Sequence, residues 1–341
     1  MLTPARATAL VAALCLAAVA VALGATVAVE RAHPGITRPA PDEFAPLHIP
    51  RIDFHQHVGP ATLELALRVA RADGIALVVN LSGGAEGGAL EAQLAAARPV
   101  GDRVVVFMNL DEEGCCGEAW ARREAARLAR GKAAGARGLA LVDAPAAGLD
   151  GLEPIWEACE ALGLPVSLGA FGTADELARL GLRHPRVSFV AARFAGEADD
   201  PAAVVRLLER VPNLSVDLAA GVPRLGARRA AAREAILAHP DRVLFGSDIK
   251  YIQAADWQGV ILGAGDPILL DPDLLGGKER RLFFESMFRF LETRDAAIPG
   301  PLPTTGGPGI AGIGLPREVL ERVYHLNAER LLRIRAPRLD E

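Results

Sequence analysis

Two histidines separated by one residue, His55 and His57, and a Gly-Ser-Asp triplet ending at Asp248 carry the residue types best suited to chemistry in this 341-residue chain. They matter if His55 and His57 end a strand. Residues two apart in a strand point to the same side, so both imidazoles can converge on one cation. Such a pair is typical of sites for zinc and similar metals. Asp248 adds a carboxylate able both to ligate and to accept a proton from bound water. Together they form a two-His, one-carboxylate set for one divalent metal, with zinc the first candidate. The remaining histidines do not extend it. His33 and His48 come early, His184 and His239 each precede a proline, and His325 lies near the end.

The elements that must position these residues follow from the apolar pattern. Strands are expected at Arg51–Phe54, Ile75–Leu81, Arg103–Leu110, Arg137–Val142, Pro165–Gly169, Val187–Arg193, Leu214–Leu218 and Arg242–Phe245. Most are continuous apolar runs, which marks strands buried on both faces of a parallel sheet. Amphipathic helices are expected between them, among them Thr62–Ala72, Gly117–Arg130, Leu152–Leu162 and Asp200–Arg210. Asp200-Pro201 reads as a helix start. Eight such alternations predict an α/β fold, a (β/α)8 TIM barrel over residues 50–335. An open doubly wound sheet would favour a Gly-rich turn after its first strand, where this chain has His-Gln-His. Active sites of such barrels lie at the C-terminal strand ends. Those ends carry His55, His57, Asn80, Asn109, Asp111, Asp143, Ser167, Gly169, Arg193, Asp217, Asp248 and Lys250. Closure of a barrel sets strand eight beside strand one, and hence Asp248 beside the histidines. Two stretches read as irregular connections long enough for a lid or a partner contact, residues 250–277 and 298–314.

Composition narrows the partners. The net charge is -5, no block of Lys or Arg stands out and aromatic residues make up 5% of the chain, which argues against nucleic acid. The four cysteines form neither a disulfide framework nor a CxxC zinc site. Residues 7–29 are almost wholly apolar after Arg6, long enough to span a bilayer. Residues 1–30 are therefore expected to be a signal peptide or membrane anchor. Residues 31–49, with four prolines, read as a linker. The bulk of the chain is then expected outside the cytoplasm.

The segments Ile52–His57, Phe245–Asp248 and Asn327–Leu332 resemble the opening, eighth-strand and closing motifs of the amidohydrolase-related family, within the metal-dependent amidohydrolase superfamily. Pro154–Cys159, Arg289–Thr293 and Gly312–Pro316 support the resemblance, which covers roughly residues 50–335. It implies a TIM barrel, a divalent metal, commonly zinc, and hydrolysis of amide, ester or lactone bonds; some relatives are decarboxylases of small acids. The chain departs from the pattern at three places. Gly169 stands where the family carries a strand-five His, Arg193 where it carries a strand-six His, and Ala140 where close relatives carry Lys.

Arg193 brings a fixed cation to the site. In one arrangement His55, His57 and Asp248 hold a single metal, and Arg193, with Lys250, faces an anionic small-molecule substrate. In the other, Arg193 fills the metal's place and pairs with Asp248. The functional expectations divide accordingly: a metal-dependent hydrolase with Asp248 as base, or a non-catalytic barrel that binds a ligand or partner.

Overall fold

The computed structural model describes residues 44–143, 148–169, 172–254, 257–261, 269–270, 278–298 and 310–339. The apolar segment expected as signal or anchor, most of the expected linker and most of the stretch 298–314 lie outside them. Among the described residues no helix is long and apolar enough to cross a membrane. Residues 46–302 and 307–341 make one compact unit; a second unit, residues 1–45 and 303–306, falls almost wholly outside the described residues.

All eight expected strands form, as β1 (Ile52–Val58), β2 (Leu77–Asn80), β3 (Val104–Met108), β4 (Gly138–Leu141), β5 (Val166–Leu168), β6 (Phe189–Ala191), β7 (Leu214–Asp217) and β8 (Val243–Leu244). Each pairs in parallel with the next, and β1 also pairs in parallel with a ninth strand, β9 (Ile249–Ala254). An antiparallel hairpin, β10 (Trp257–Ile261) and β11 (Leu269–Leu270), extends β9. The sequence reading left residues 250–277 irregular; where they are described, β9 and β10 pair antiparallel instead, and residues 255–256, 262–268 and 271–277 lie outside the described residues.

The sheet curls. β8 ladders with β7, and the chain then crosses to β1. Phe54 N–H donates to the Phe245 carbonyl, and Asp248 N–H to the His55 carbonyl, each at 2.9 Å. β9 takes up the pairing at Ile249, opposite Gln56. The four residues between β8 and β9 therefore turn against β1, and Asp248 at their end adopts left-handed backbone with φ 61°. Asp tolerates that conformation better than most residues.

The strand side chains are buried on both faces, as expected for a parallel sheet under helices. Phe54 and Phe107 meet edge to face, 5.8 Å apart, within a cluster that includes Val79, Val105, Val190 and Leu244. The helix Pro201–Arg210 starts as expected, with Asp200 Oδ1 accepting from Ala203 N–H and Pro201 leading the first turn. The late motifs act as struts. Asn327 Nδ2 donates to the carbonyls of Pro240 and Val243, fastening the last helix to the base of β8. Glu292 accepts from Arg51 and from the Tyr324 hydroxyl, both at 2.8 Å, beside the start of β1.

Candidate metal centre

β1 delivers His55 and His57 to one side, and Asp248 meets them from the turn before β9. His55 Nε2 and His57 Nε2 face each other at 3.2 Å. Asp248 Oδ1 lies 3.5 Å from the first and 3.4 Å from the second. A tetrahedral ion with bonds of about 2.0–2.1 Å has ligand–ligand edges of about 3.3–3.4 Å. The triangle of donors matches one face of that tetrahedron, and these three residues form a group that could hold a metal ion.

The outer nitrogens support the same arrangement. His55 Nδ1 lies 2.9 Å from Asp217 Oδ2, and His57 Nδ1 lies 2.7 Å from Ser82 Oγ. Each imidazole can thus keep its proton on Nδ1 and turn a bare Nε2 inward, the tautomer that ligates. Asp248 is fully buried, and its Oδ1 has no hydrogen-bond partner among the described residues. A buried carboxylate oxygen without a donor, facing two imidazole lone pairs, has the chemistry of a cation ligand.

Arg193 occupies neither of its two expected arrangements in full. It does pair with Asp248, through Nε and one terminal nitrogen, each 3.0 Å from Oδ2. It does not enter the space between the two Nε2 atoms and Oδ1. The two carboxylate oxygens are divided: Oδ2 to the guanidinium, Oδ1 to the histidines. Arg193 is placed by a run of left-handed backbone through Arg193, Phe194 and Ala195, with φ of 57°, 56° and 54°. Such conformations cost about 1–2 kcal/mol per residue and persist only where the surroundings hold them. Asp217 does part of the holding, since its Oδ1 accepts from Arg193 N–H at 2.9 Å and Ala219 N–H at 3.0 Å. Lys250 Nζ lies 4.0 Å from Asp248 Oδ1, with the side chain 36% exposed.

These charges set the protonation states. Burial works against ionisation of Asp248, but His57, His55 and Arg193 hold it well below the usual carboxylate range. Burial also opposes charge on His55, yet the Asp217 carboxylate outweighs it and raises the pKa. On His57 burial prevails and lowers it.

A second buried acid ties the parts together. Asp53 accepts from His55 N–H and Ser247 N–H on Oδ1, and from Gln56 Nε2 and the Ser247 hydroxyl on Oδ2. It thereby pins the Gly-Ser-Asp turn to β1. Gly246 is needed where the two meet, because a Cβ there would stand 2.9 Å from His55 Cβ.

Three of the strand-end residues named from the sequence are not ligands. Asn80 and Asn109 bond to backbone: Asn80 to Val58, Asn109 to Leu81, Gly84 and Ala140. Gly169 offers no ligand, and a Cβ at this position would lie 2.5 Å from the Val142 carbonyl oxygen. Asp217 and Ser82 were not assigned roles from sequence. Asp217 has a signal in its strand-end position; Ser82 has none beyond lying two residues past Asn80.

Curled parallel sheet, covering helices and a strand-end cluster of this kind define a TIM-barrel protein with a candidate metal centre. The amidohydrolase family profile matches residues 52–334, and the chain belongs to that family. No curated protein sequence matches it. Among solved structures, an uncharacterised TIM-barrel protein from Bordetella bronchiseptica is similar at 17% identity and TM-score 0.52, covering 84% of this chain and 99% of that one. An amidohydrolase from Burkholderia multivorans with bound zinc has 14% identity and TM-score 0.50, covering 83% and 99%. A probable 2-pyrone-4,6-dicarboxylic acid hydrolase from Acinetobacter baumannii with citric acid bound has 12% identity and TM-score 0.50, covering 84% and 100%. At these identities the likeness is one of fold.

Proposed function

We propose that the chain is a metal-dependent hydrolase of amide, ester or lactone bonds, holding one divalent ion, zinc first among candidates, on His55 Nε2, His57 Nε2 and Asp248 Oδ1. The observation that carries this reading is the convergence of those three atoms, with both histidines backed on Nδ1 and Oδ1 left without a donor. We read the sheet as a closed eight-fold barrel whose eighth strand is split into β8 and β9, and the apolar segment 7–29 as placing the bulk of the chain outside the cytoplasm.

A bound divalent ion would supply Lewis acidity and ease the deprotonation of water. The protein's own groups do the rest. Asp217 and Ser82 fix the histidine tautomers. Asp248 takes up the proton released at the cluster, and Arg193 holds its carboxylate in place meanwhile. Arg193 also presents positive charge where a second ion would otherwise sit, which favours a single-metal centre. Lys250 and the exposed part of Arg193 face an anionic substrate.

The Arg193–Asp248 pair favours one competing reading, a barrel that binds a ligand without turning it over, because a tightly held carboxylate is a weak base. Metal analysis of the purified protein and of His55→Ala, with a screen of ester, lactone and amide substrates and of carbon dioxide release, separates the readings. We expect about one equivalent of metal, and hydrolysis that is lost in His55→Ala. Metal without turnover supports the binding barrel, carbon dioxide release a decarboxylase, and absence of metal removes the proposal.

A further inference from the structure

The candidate metal centre is closed. Asp248 and His55 are buried, and His57 is 12% exposed. The space beside them has room for about one water molecule. A divalent ion arrives in a shell of several waters, so it cannot reach the three ligand atoms until a wall moves.

Most of the walls are fixed. Leu81, Ala140, Leu141 and Ser167 stand in strands or at their ends and are buried. Val142 and Gly169 close the rim, but Gly169 N–H donates to the Leu141 carbonyl at 2.7 Å and laces the ends of β4 and β5 together. Arg193 is different. Its side chain is 29% exposed, and it begins a left-handed run that continues through Phe194 and Ala195 to Gly196, whose φ is 72°. Three of these four residues carry the Cβ that makes this region unfavourable.

The turn is held at three points. Asp217 Oδ1 accepts from Arg193 N–H, Asp248 Oδ2 accepts from the guanidinium, and Gly196 N–H donates to the Ala192 and Arg193 carbonyls. Two of the three holds are carboxylates of the site itself. Arg193 is thus a wall on strained backbone, latched to a ligand of the cluster it covers. Strain of this kind recurs at clamps and switches, where a second conformation is used.

We propose that the left-handed turn of residues 193–196 is the gate through which the metal ion enters and leaves. On opening, the turn relaxes toward ordinary backbone and lifts Arg193 from Asp248, which uncovers the cluster from the cavity side. On closing, the guanidinium returns to Oδ2 and the ion keeps Oδ1. This gate rests on the metal reading above. How fast the ion exchanges is then set by how often the turn opens, and how tightly it binds by the three ligand atoms. The turn is closed both before and after binding, so its strain cancels from the equilibrium and remains in both rates.

The test follows zinc uptake and release by the full chain in stopped flow against a chromophoric chelator, for wild type, Ala195→Gly and Gly196→Ala. Neither variant touches a ligand. Glycine at residue 195 relieves the closed turn of its penalty and makes opening rarer. A Cβ at Gly196 meets nothing within 4 Å, so alanine there adds only backbone strain to the closed turn. We expect Ala195→Gly to slow uptake and release alike, by about five- to thirtyfold, and Gly196→Ala to speed both by a similar factor. Zinc affinity should stay at the wild-type value in both. Parallel changes in the two rates at constant affinity are the mark of a gate, which a general loosening of the site would not produce. Wild-type rates in Ala195→Gly, or a change in release alone with a matching change in affinity, overturn the gate and leave the metal reading standing. Absence of zinc binding in the wild type removes the metal reading and the gate with it.

Discussion

Arg193 places two guanidinium nitrogens, each 3.0 Å away, on a single oxygen of Asp248, Oδ2, and leaves Oδ1 to the histidines. In the metal-free protein this contact compensates a fully buried carboxylate. Breaking a buried pair from one side leaves a charge without its partner, which costs about 3–5 kcal/mol in full burial. Arg193 is 29% exposed, so solvent screening brings the expectation for Arg193→Ala down to about 2 kcal/mol. Urea unfolding in chelator should show that loss. With zinc present at saturation the gap between variant and wild type should narrow, because the ion takes over the compensation. A gap that does not respond to metal would mean that Asp248 does not face the ion.

Asp217 serves three groups with two oxygens. Oδ1 accepts from the backbone N–H of Arg193 and Ala219, and Oδ2 faces His55 Nδ1. In Asp217→Asn the amide oxygen can keep both backbone bonds, while its NH2 group turns to His55. That forces His55 to accept on Nδ1 and to carry its proton on Nε2, where the metal would bind. Metal affinity should fall by about 10–100-fold, the usual cost of losing such a backing carboxylate, with a melting temperature close to wild type. Competition against a chromophoric chelator measures the first and circular dichroism the second. Unchanged affinity would show that His55 does not ligate through Nε2.

Asp53 makes stability depend on pH in a defined window. Burial raises its pKa from 3.8 to about 6, against the opposing pull of its four hydrogen bonds. The folded state then holds a proton that the unfolded state has released, so stability falls as pH rises from about 4 to about 6 and is level above that. The drop amounts to about 3 kcal/mol at 1.36 kcal/mol per pH unit. Asp53→Asn should remove this slope without loss of fold. Its oxygen can accept from His55 and Ser247, and its NH2 group can meet Gln56 Oε1, which has no partner now, once that amide flips. Chemical denaturation at pH 4, 5, 6 and 7 tests this; a slope that survives in the variant would place its origin elsewhere.

The eight strands and the pairing of Asp248 with the histidines were legible in the sequence because both follow from short-range pattern and barrel geometry. Continuous apolar runs mark strands buried on both faces, and strand eight must return to strand one. The division of labour within the site was not legible. Arg193 stood out as a cation near a metal, but which oxygen of Asp248 it would hold depends on a left-handed turn through Arg193, Phe194 and Ala195, none of them glycine. Asp217 sat on the strand-end roster without a role, since backing a histidine needs a distance and not a spacing. The strand β9 escaped because residues 250–254 carry no long apolar run. The late motifs at Glu292 and Asn327 marked kinship, and what they do is structural: one holds Arg51, the other the base of β8.

Gly169 decides whether the missing strand-five ligand could be restored. A Cβ there would lie 2.5 Å from the Val142 carbonyl oxygen, 3.1 Å from that of Leu141 and 3.2 Å from the Val142 carbonyl carbon. These are backbone atoms, and Gly169 N–H is itself bonded to the Leu141 carbonyl at 2.7 Å, so the strand cannot drift aside to make room. Gly169→His should therefore cost the 1–3 kcal/mol typical of overpacking, about what Gly169→Ala costs. It should not tighten metal binding, because the imidazole cannot be carried to the cluster without displacing β4. Thermal melts of both variants and metal titration of Gly169→His check the pair of expectations. A Gly169→His protein that melts like wild type and binds zinc more tightly would show that β4 yields and that a ligand can be added from the end of β5.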